Sequence, residues 1–323
     1  MTTKKDLKKR VRARQAKTGE SYSTARLHVL RGKDPEHVDL GILHQRITAI
    51  ALSCSEQTIR LRQLNGTDVI SLRTGGVVAH RVAPGQLVDI ELSKQWTWSG
   101  TVYCVGRIER VWTDVAALGL DPLPLEDQGE YDLNEIHEPF ELTDPYGPMW
   151  HRFATMPRRA FEFSGIAWSA GVGVEPTDDG ACLVADAAEM RDPISARKLL
   201  MKALAADLRC IDAHAHLGNM AFHHRPEDAI THYDIAIRIA ELSLTSDFTE
   251  LLPWGFIYNR PYLRALHGFG LCLWRLDRAQ DALAVFERIL SLNPADHQGV
   301  RFCWDDIRNG HPWRSEELEQ SPR

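Results

Sequence analysis

Apolar and polar positions change rhythm several times along the chain. Over residues 1–35 apolar side chains are sparse. From Lys4 to Lys17, Leu7, Val11 and Ala16 give a thin stripe at helical spacing. Gly19 suits a helix stop, since it tolerates the left-handed backbone found there. Ser21 is placed to cap a second short helix from Tyr22 to Leu30, which Gly32 would end. Val11, Tyr22, Ala25, Leu27 and Leu30 offer one small contact surface, too small to fold alone. Across residues 45–115 the period becomes two. TIRLRQL and TDVISLR alternate on either side of Asn65-Gly66, a strong hairpin signal. Further strands are expected at Gly76–Val82, at Leu87–Leu92 after the Pro84-Gly85 turn, and at Thr101–Trp112. Such spacing predicts a small antiparallel β-barrel of the OB or SH3-like type. Residues 116–180 hold Pro122, Pro124, Pro139, Pro145, Pro148 and Pro157 among many acids, and read as an acidic, Pro-rich connector. From 183 to 310 the pattern is helical, and 311–323 is left as a tail. The fold class is α+β and multidomain.

The helical part repeats itself. Three segments share alanine, a large residue four positions on, and a small or apolar residue three further: Ala196/Leu200/Ala203, Ala229/Tyr233/Ala236 and Ala282/Phe286/Ile289. The first two stand 33 residues apart and the next two 53 apart, one repeat of about 34 plus an insertion. Small residues let two helices cross closely, the aromatic fills the groove so opened, and Pro294 after Asn293 ends the last helix. Gly270, Ala282, Phe286 and Pro294 fall in the register of the tetratricopeptide repeat. Leu217-Gly218 stands one residue too close to Ala229. Through the words RPYLRALHGFGLCLW and LSLNPADHQGVRF the chain resembles a bacterial subtype of tetratricopeptide-repeat (TPR) protein. The resemblance implies an α-helical TPR solenoid with a partner-binding groove lined by the first helix of each pair. His214, Asn219, Asn259, Arg260, Tyr262, Arg264 and His267 are the candidates there. The insertion SLTSDFTELLPWGFIYNRP adds Trp254, Phe256 and Tyr258, which either anchor a peptide beside Arg260 or pack inward and plug the array.

Charge changes the picture at the amino terminus. The net charge of −6 conceals eleven Lys or Arg against two acids in residues 1–33, so this arm carries +9 and the remainder −15. Lys5, Lys8, Lys9, Arg10, Arg12, Arg14 and Lys17 are the candidate nucleic-acid contacts; the alternative is an arm folded onto its own acidic body. The stretch Lys8–Arg26 resembles the basic helix–Thr-Gly–helix openings of bacterial regulatory and antitoxin-like proteins, which implies contact with nucleic acid or a protein partner. Arg60, Arg62, Arg73, Trp96, Trp98 and Tyr103 share one face of the barrel strands. They either stack single-stranded nucleic acid or cover a barrel end.

IDAHAHLG (Ile211–Gly218) invites a second reading, a metal-dependent hydrolase using the His214/His216 region, because His-x-His at a strand end ligates zinc in amidohydrolases. The flanking pattern is helical, however, and on a helix those two residues stand about 200° apart. No metal site and no cofactor are expected. No nucleophile elbow, P-loop or dinucleotide fingerprint is present in the sequence. Six scattered cysteines without a C-x-x-C pair suggest reduced thiols, and no apolar run is long enough for a membrane helix. The expectation is a cytoplasmic, non-enzymatic adaptor or regulator binding a protein partner, with nucleic acid a further candidate through the arm.

Overall fold

The computed structural model describes residues 3–30, 37–74, 81–154, 157–164 and 180–314. The basic arm forms two helices, α1 (Thr3–Thr18) and α2 (Tyr22–Leu30), joined at Gly19 with φ 72°. Val11, Ala25 and Val29 make the small contact between them.

Five strands follow: β1 (His37–Cys54), β2 (Thr58–Gln63), β3 (Val69–Arg73), β4 (Leu87–Trp98) and β5 (Thr101–Trp112). They close a barrel in the order β1-β2-β3-β5-β4. The barrel is not wholly antiparallel, since β3 runs parallel to β5 with Ser71 beside Tyr103. β1 is long enough to pair with both neighbours, meeting β4 from His37 to Ile50 and β2 from Ala49 to Cys54. The strand expected at Gly76–Val82 lies largely outside the described residues. Alternation decides the interior: Ile59 and Leu61 of β2 are buried while Arg60 between them is exposed. Val88, Ile90 and Leu92 of β4 face the same core.

The segment after the barrel is more than a connector. It forms β6 (Leu125–Tyr131), the short α3 (Leu133–Ile136), α4 (Gly147–Phe153) and β7 (Arg158–Phe163), with β6 and β7 paired antiparallel. Trp150, Tyr146 and Phe163 are almost fully buried, in the same apolar cluster as the later helices. The Tyr146 hydroxyl donates to the carbonyl of Pro294 at 2.9 Å. The prolines interrupt long elements, yet the large side chains between them supply core.

Helices then follow one another: α5 (Gly180–Glu189), α6 (Pro193–Ala206), α7 (Ile211–Phe222), α8 (Pro226–Glu241), α9 (Arg260–Arg275), α10 (Ala279–Leu292) and α11 (Val300–Arg308). Each packs on the next, and α9 also meets α7. The close crossings fall at glycines. A Cβ on Gly218 would come within 2.5 Å of the Tyr233 ring, and one on Gly270 within 2.9 Å of the Phe286 ring. The insertion between α8 and α9 is stitched to β7. Leu251 donates to the Arg159 carbonyl, and Phe161 donates to the Leu251 carbonyl, both at 2.9 Å. Barrel and helices share their cores: Leu200, Leu204 and Leu217 complete the barrel cluster, while Ile50 and Leu87 join the helical one.

Candidate partner-binding groove

α7 and α9 pack against each other, and their adjacent faces open a cleft of about 260 Å3. Three of the groove residues expected from the sequence meet there: Asn219, Arg264 and His267. Asn219 is exposed at the end of α7 and accepts the Tyr233 hydroxyl at 2.6 Å. Arg264 pairs with Asp212 one helix away at 3.1 Å. His267 stands edge-on to Phe286, and loss of water around its ring pushes its pKa down to about 4, so it is neutral near pH 7. Phe222, His223 and Gln298 complete the wall. Gln298 donates to the Leu263 carbonyl at 3.3 Å, while its own buried side-chain oxygen has no hydrogen-bond partner among the described residues. Gln298 lies in the loop after α10, outside the helical spacing that points to the other residues.

His214, Asn259 and Tyr262, also expected in the groove, belong to the core. His214 is fully buried, its Nδ1 lying 3.4 Å from that of His232. Asn259 is also fully buried. Its side chain accepts from the Phe163 amide and donates to the carbonyls of Phe161 and Pro253, so it ties β7 to the insertion. Tyr262 is buried against Phe163, and its hydroxyl donates to Glu241 at 3.3 Å. Burial raises the Tyr262 pKa strongly and also raises that of Glu241. Trp254 and Phe256 pack against the apolar cluster, with Arg260 over the Trp254 ring at 5.5 Å and donating to the Trp254 carbonyl. Of Trp254, Phe256 and Tyr258, the last remains at the surface. Inward packing, rather than a peptide anchor, describes Trp254 and Phe256. The reason is that β7 needs a partner along its outer edge, and the insertion supplies it.

On the arm, Lys8, Lys9, Arg10, Arg12 and Lys17 are exposed, while the Lys5 side chain lies outside the described residues. Arg14 departs from the expectation. It is buried, bonds to Glu20, and sits 5.6 Å over the Trp98 ring. The arm thus meets the aromatic end of the barrel through Arg14. There Trp96 stacks on Tyr103 at 5.8 Å and Trp98 tilts against it. Strand register sets Arg60, Ser71, Tyr103 and Trp96 side by side in one row. Arg62 and Arg73 flank Arg60 on β2 and β3.

The IDAHAHLG segment is helical, within α7. His216 turns to Asp212 at 3.7 Å while His214 turns to His232, so the two imidazoles do not converge. Among the described residues no three His, Cys, Asp or Glu side chains are grouped to hold a metal ion. No helix among them is long and apolar enough to cross a membrane. The chain matches no protein-family model, no curated protein and no solved structure.

Proposed function

We propose that this chain is a non-enzymatic adaptor of the TPR kind, which holds an extended segment of a protein partner in the groove between α7 and α9. The single observation carrying this reading is the convergence of Asn219, Arg264 and His267 from two first helices onto one open cleft. The close crossings at Gly218 and Gly270, each filled by an aromatic ring, support the TPR reading of the helix pairs. The strand order with its parallel β3–β5 pair supports the OB reading of the barrel. A photo-reactive residue placed at Asn219 in the native host should capture a defined partner, and the same probe at exposed Gln280 on α10 should not. Equal capture at both positions, or none at Asn219, would sink the groove.

The exposed Lys8, Lys9, Arg10, Arg12 and Lys17 support a second contact, with nucleic acid, through the outer side of the arm. Binding that is absent at low salt in the full chain would remove this part of the proposal and leave the groove untouched.

A further inference from the structure

Where the barrel meets the helices lies a separate cavity of about 250 Å3. Its walls come from the segment entering β4, from the first turns of α6 and α8, and from the end of α7. Among the described residues, Arg81, Arg197, Arg225, Asp228 and His232 are the charged or titratable side chains that line it. We infer that this cavity is a binding site for the phosphate group of a phosphomonoester, held by Arg81, Arg197 and Arg225.

Among the described residues, the cavity gathers three arginines against one carboxylate. Asp228 is committed to Arg225 at 3.0 Å. Among the described residues, Arg81 and Arg197 have no carboxylate within ion-pair distance. Arg197 is largely withdrawn from water, and its Nη1 donates to the Cys54 carbonyl at 3.2 Å. Desolvation and the neighbouring Arg225 charge hold its pKa below the usual arginine value. A guanidinium kept from water beside a second one is costly unless an anion joins them, and a dianionic phosphate matches that fork geometry.

Two further observations point the same way. α6 and α8 both begin at the cavity with proline in the first turn, and α8 has no side-chain cap. Asp192 already caps the start of α6, so it is the uncapped start of α8 that favours a negative group there. His232 is more than nine-tenths buried, bonded through Nδ1 to His214, and among the described residues its Nε2 has no hydrogen-bond partner. In a neutral pair one ring must donate and the other accept across the Nδ1 contact. An anion selects the arrangement in which His232 accepts at Nδ1 and keeps a proton on Nε2 to donate. The cavity exceeds a bare phosphate, and Leu217 and Ala221 give it an apolar wall suited to the attached group.

Calorimetric titration of the full chain tests this with a nucleoside monophosphate against its nucleoside, and with a 5′-phosphorylated short oligonucleotide against its 5′-hydroxyl form. The phosphorylated member of at least one pair should bind, with its counterpart roughly tenfold weaker or worse. Preference for the mononucleotide assigns a small free ligand; preference for the oligonucleotide assigns a strand end. Arg197→Gln should weaken binding by roughly tenfold, while its ligand-free melting temperature holds or rises because an unpaired cation has gone. The exposed Arg81→Gln variant should weaken binding too, and it decides the matter if Arg197→Gln does not fold. The inference is overturned if no phosphorylated compound binds at millimolar concentration, if the unphosphorylated partners bind equally, or if Arg81→Gln binds like the parent chain.

Discussion

A Cβ added to Gly268 would stand 2.6 Å from Cε1 of Tyr233, so the Tyr233 ring fills the space that any side chain at 268 would need. Gly218 approaches the same ring from α7. The tyrosine is thus clamped between two helices that belong to different pairs. Gly268→Ala should destabilise the fold by about 1–3 kcal/mol, overpacking outweighing the better helix propensity of alanine. Urea unfolding of Gly268→Ala and of the double variant with Tyr233→Leu checks this: the smaller residue should restore part of the loss. A single variant as stable as the parent would contradict the clamp.

The His214–His232 pair makes stability depend on pH. Burial pushes the His232 pKa down to about 3 and that of His214 well below normal, whereas both titrate near 6.5 in the unfolded chain. Between those values the unfolded chain binds protons that the folded chain does not. Stability is therefore complete above about pH 6.5 and falls as the pH drops, by up to about 1.4 kcal/mol per pH unit for each histidine. Denaturant midpoints at pH 7.5, 6 and 5 should show the decline, and it should be shallower in His232→Phe. A flat profile from pH 7.5 to 5 would refute buried neutral histidines.

Asn259 distinguishes core from groove. Its amide joins the Phe163 amide to the Phe161 and Pro253 carbonyls, so Asn259→Ala strands three buried backbone groups. A loss of about 2–4 kcal/mol is expected, read as a lower melting temperature. Asn219→Ala should lower the melting temperature less, since it takes the acceptor from the Tyr233 hydroxyl alone. The opposite order would return Asn259 to the groove.

Release of the arm should follow from one ring. Trp98→Ala removes the surface under Arg14, a cation–π contact of about 0.5–2 kcal/mol. Trypsin should then cut near Lys8–Arg12 several-fold faster than in the parent chain, with the barrel's own unfolding midpoint little moved. Unchanged cleavage would mean that Trp98 does not hold the arm.

How far the sequence could be read followed from how local each determinant is. Asn65-Gly66, Gly19 and the alternation in Thr101–Trp112 act on their own neighbours, and the elements they foretold are present. β1 is hard to read as a strand, because the register shifts at Asp39/Gly41 and Ile42/Gln45 break the alternation that marks one. Gly76–Val82 falls mostly outside the described residues. The helical spacing placed Ala229, Tyr233, Ala282 and Phe286 in buried positions where they are found. The groove was less legible. A first helix presents one face to solvent and another to its pair, and residue type does not say which face Asn259 or Tyr262 joins. Both are claimed by β7, from a segment roughly a hundred positions earlier that reads as proline-broken linker. The three-arginine cavity was invisible for a similar reason, since Arg81, Arg197 and Arg225 come from three distant stretches.

The stitching of β7 to the insertion also bears on how the chain assembles. Arg158 donates to the carbonyls of Thr249, Glu250 and Ser291, and Leu252 donates to that of Leu292. The Arg158 bonds close loops of 91 to 133 residues, whereas stacked helix pairs usually need only their neighbours. On a ribosome, the β6–β7 hairpin emerges long before the strand edge that completes it. The hairpin must wait for α9 and α10 to be synthesised, and a chain cut before residue 250 leaves it without its mate. Helix pairs of this array are therefore poor candidates for trimming or transplantation, since the carboxy-terminal pair closes a structure begun in the middle of the chain.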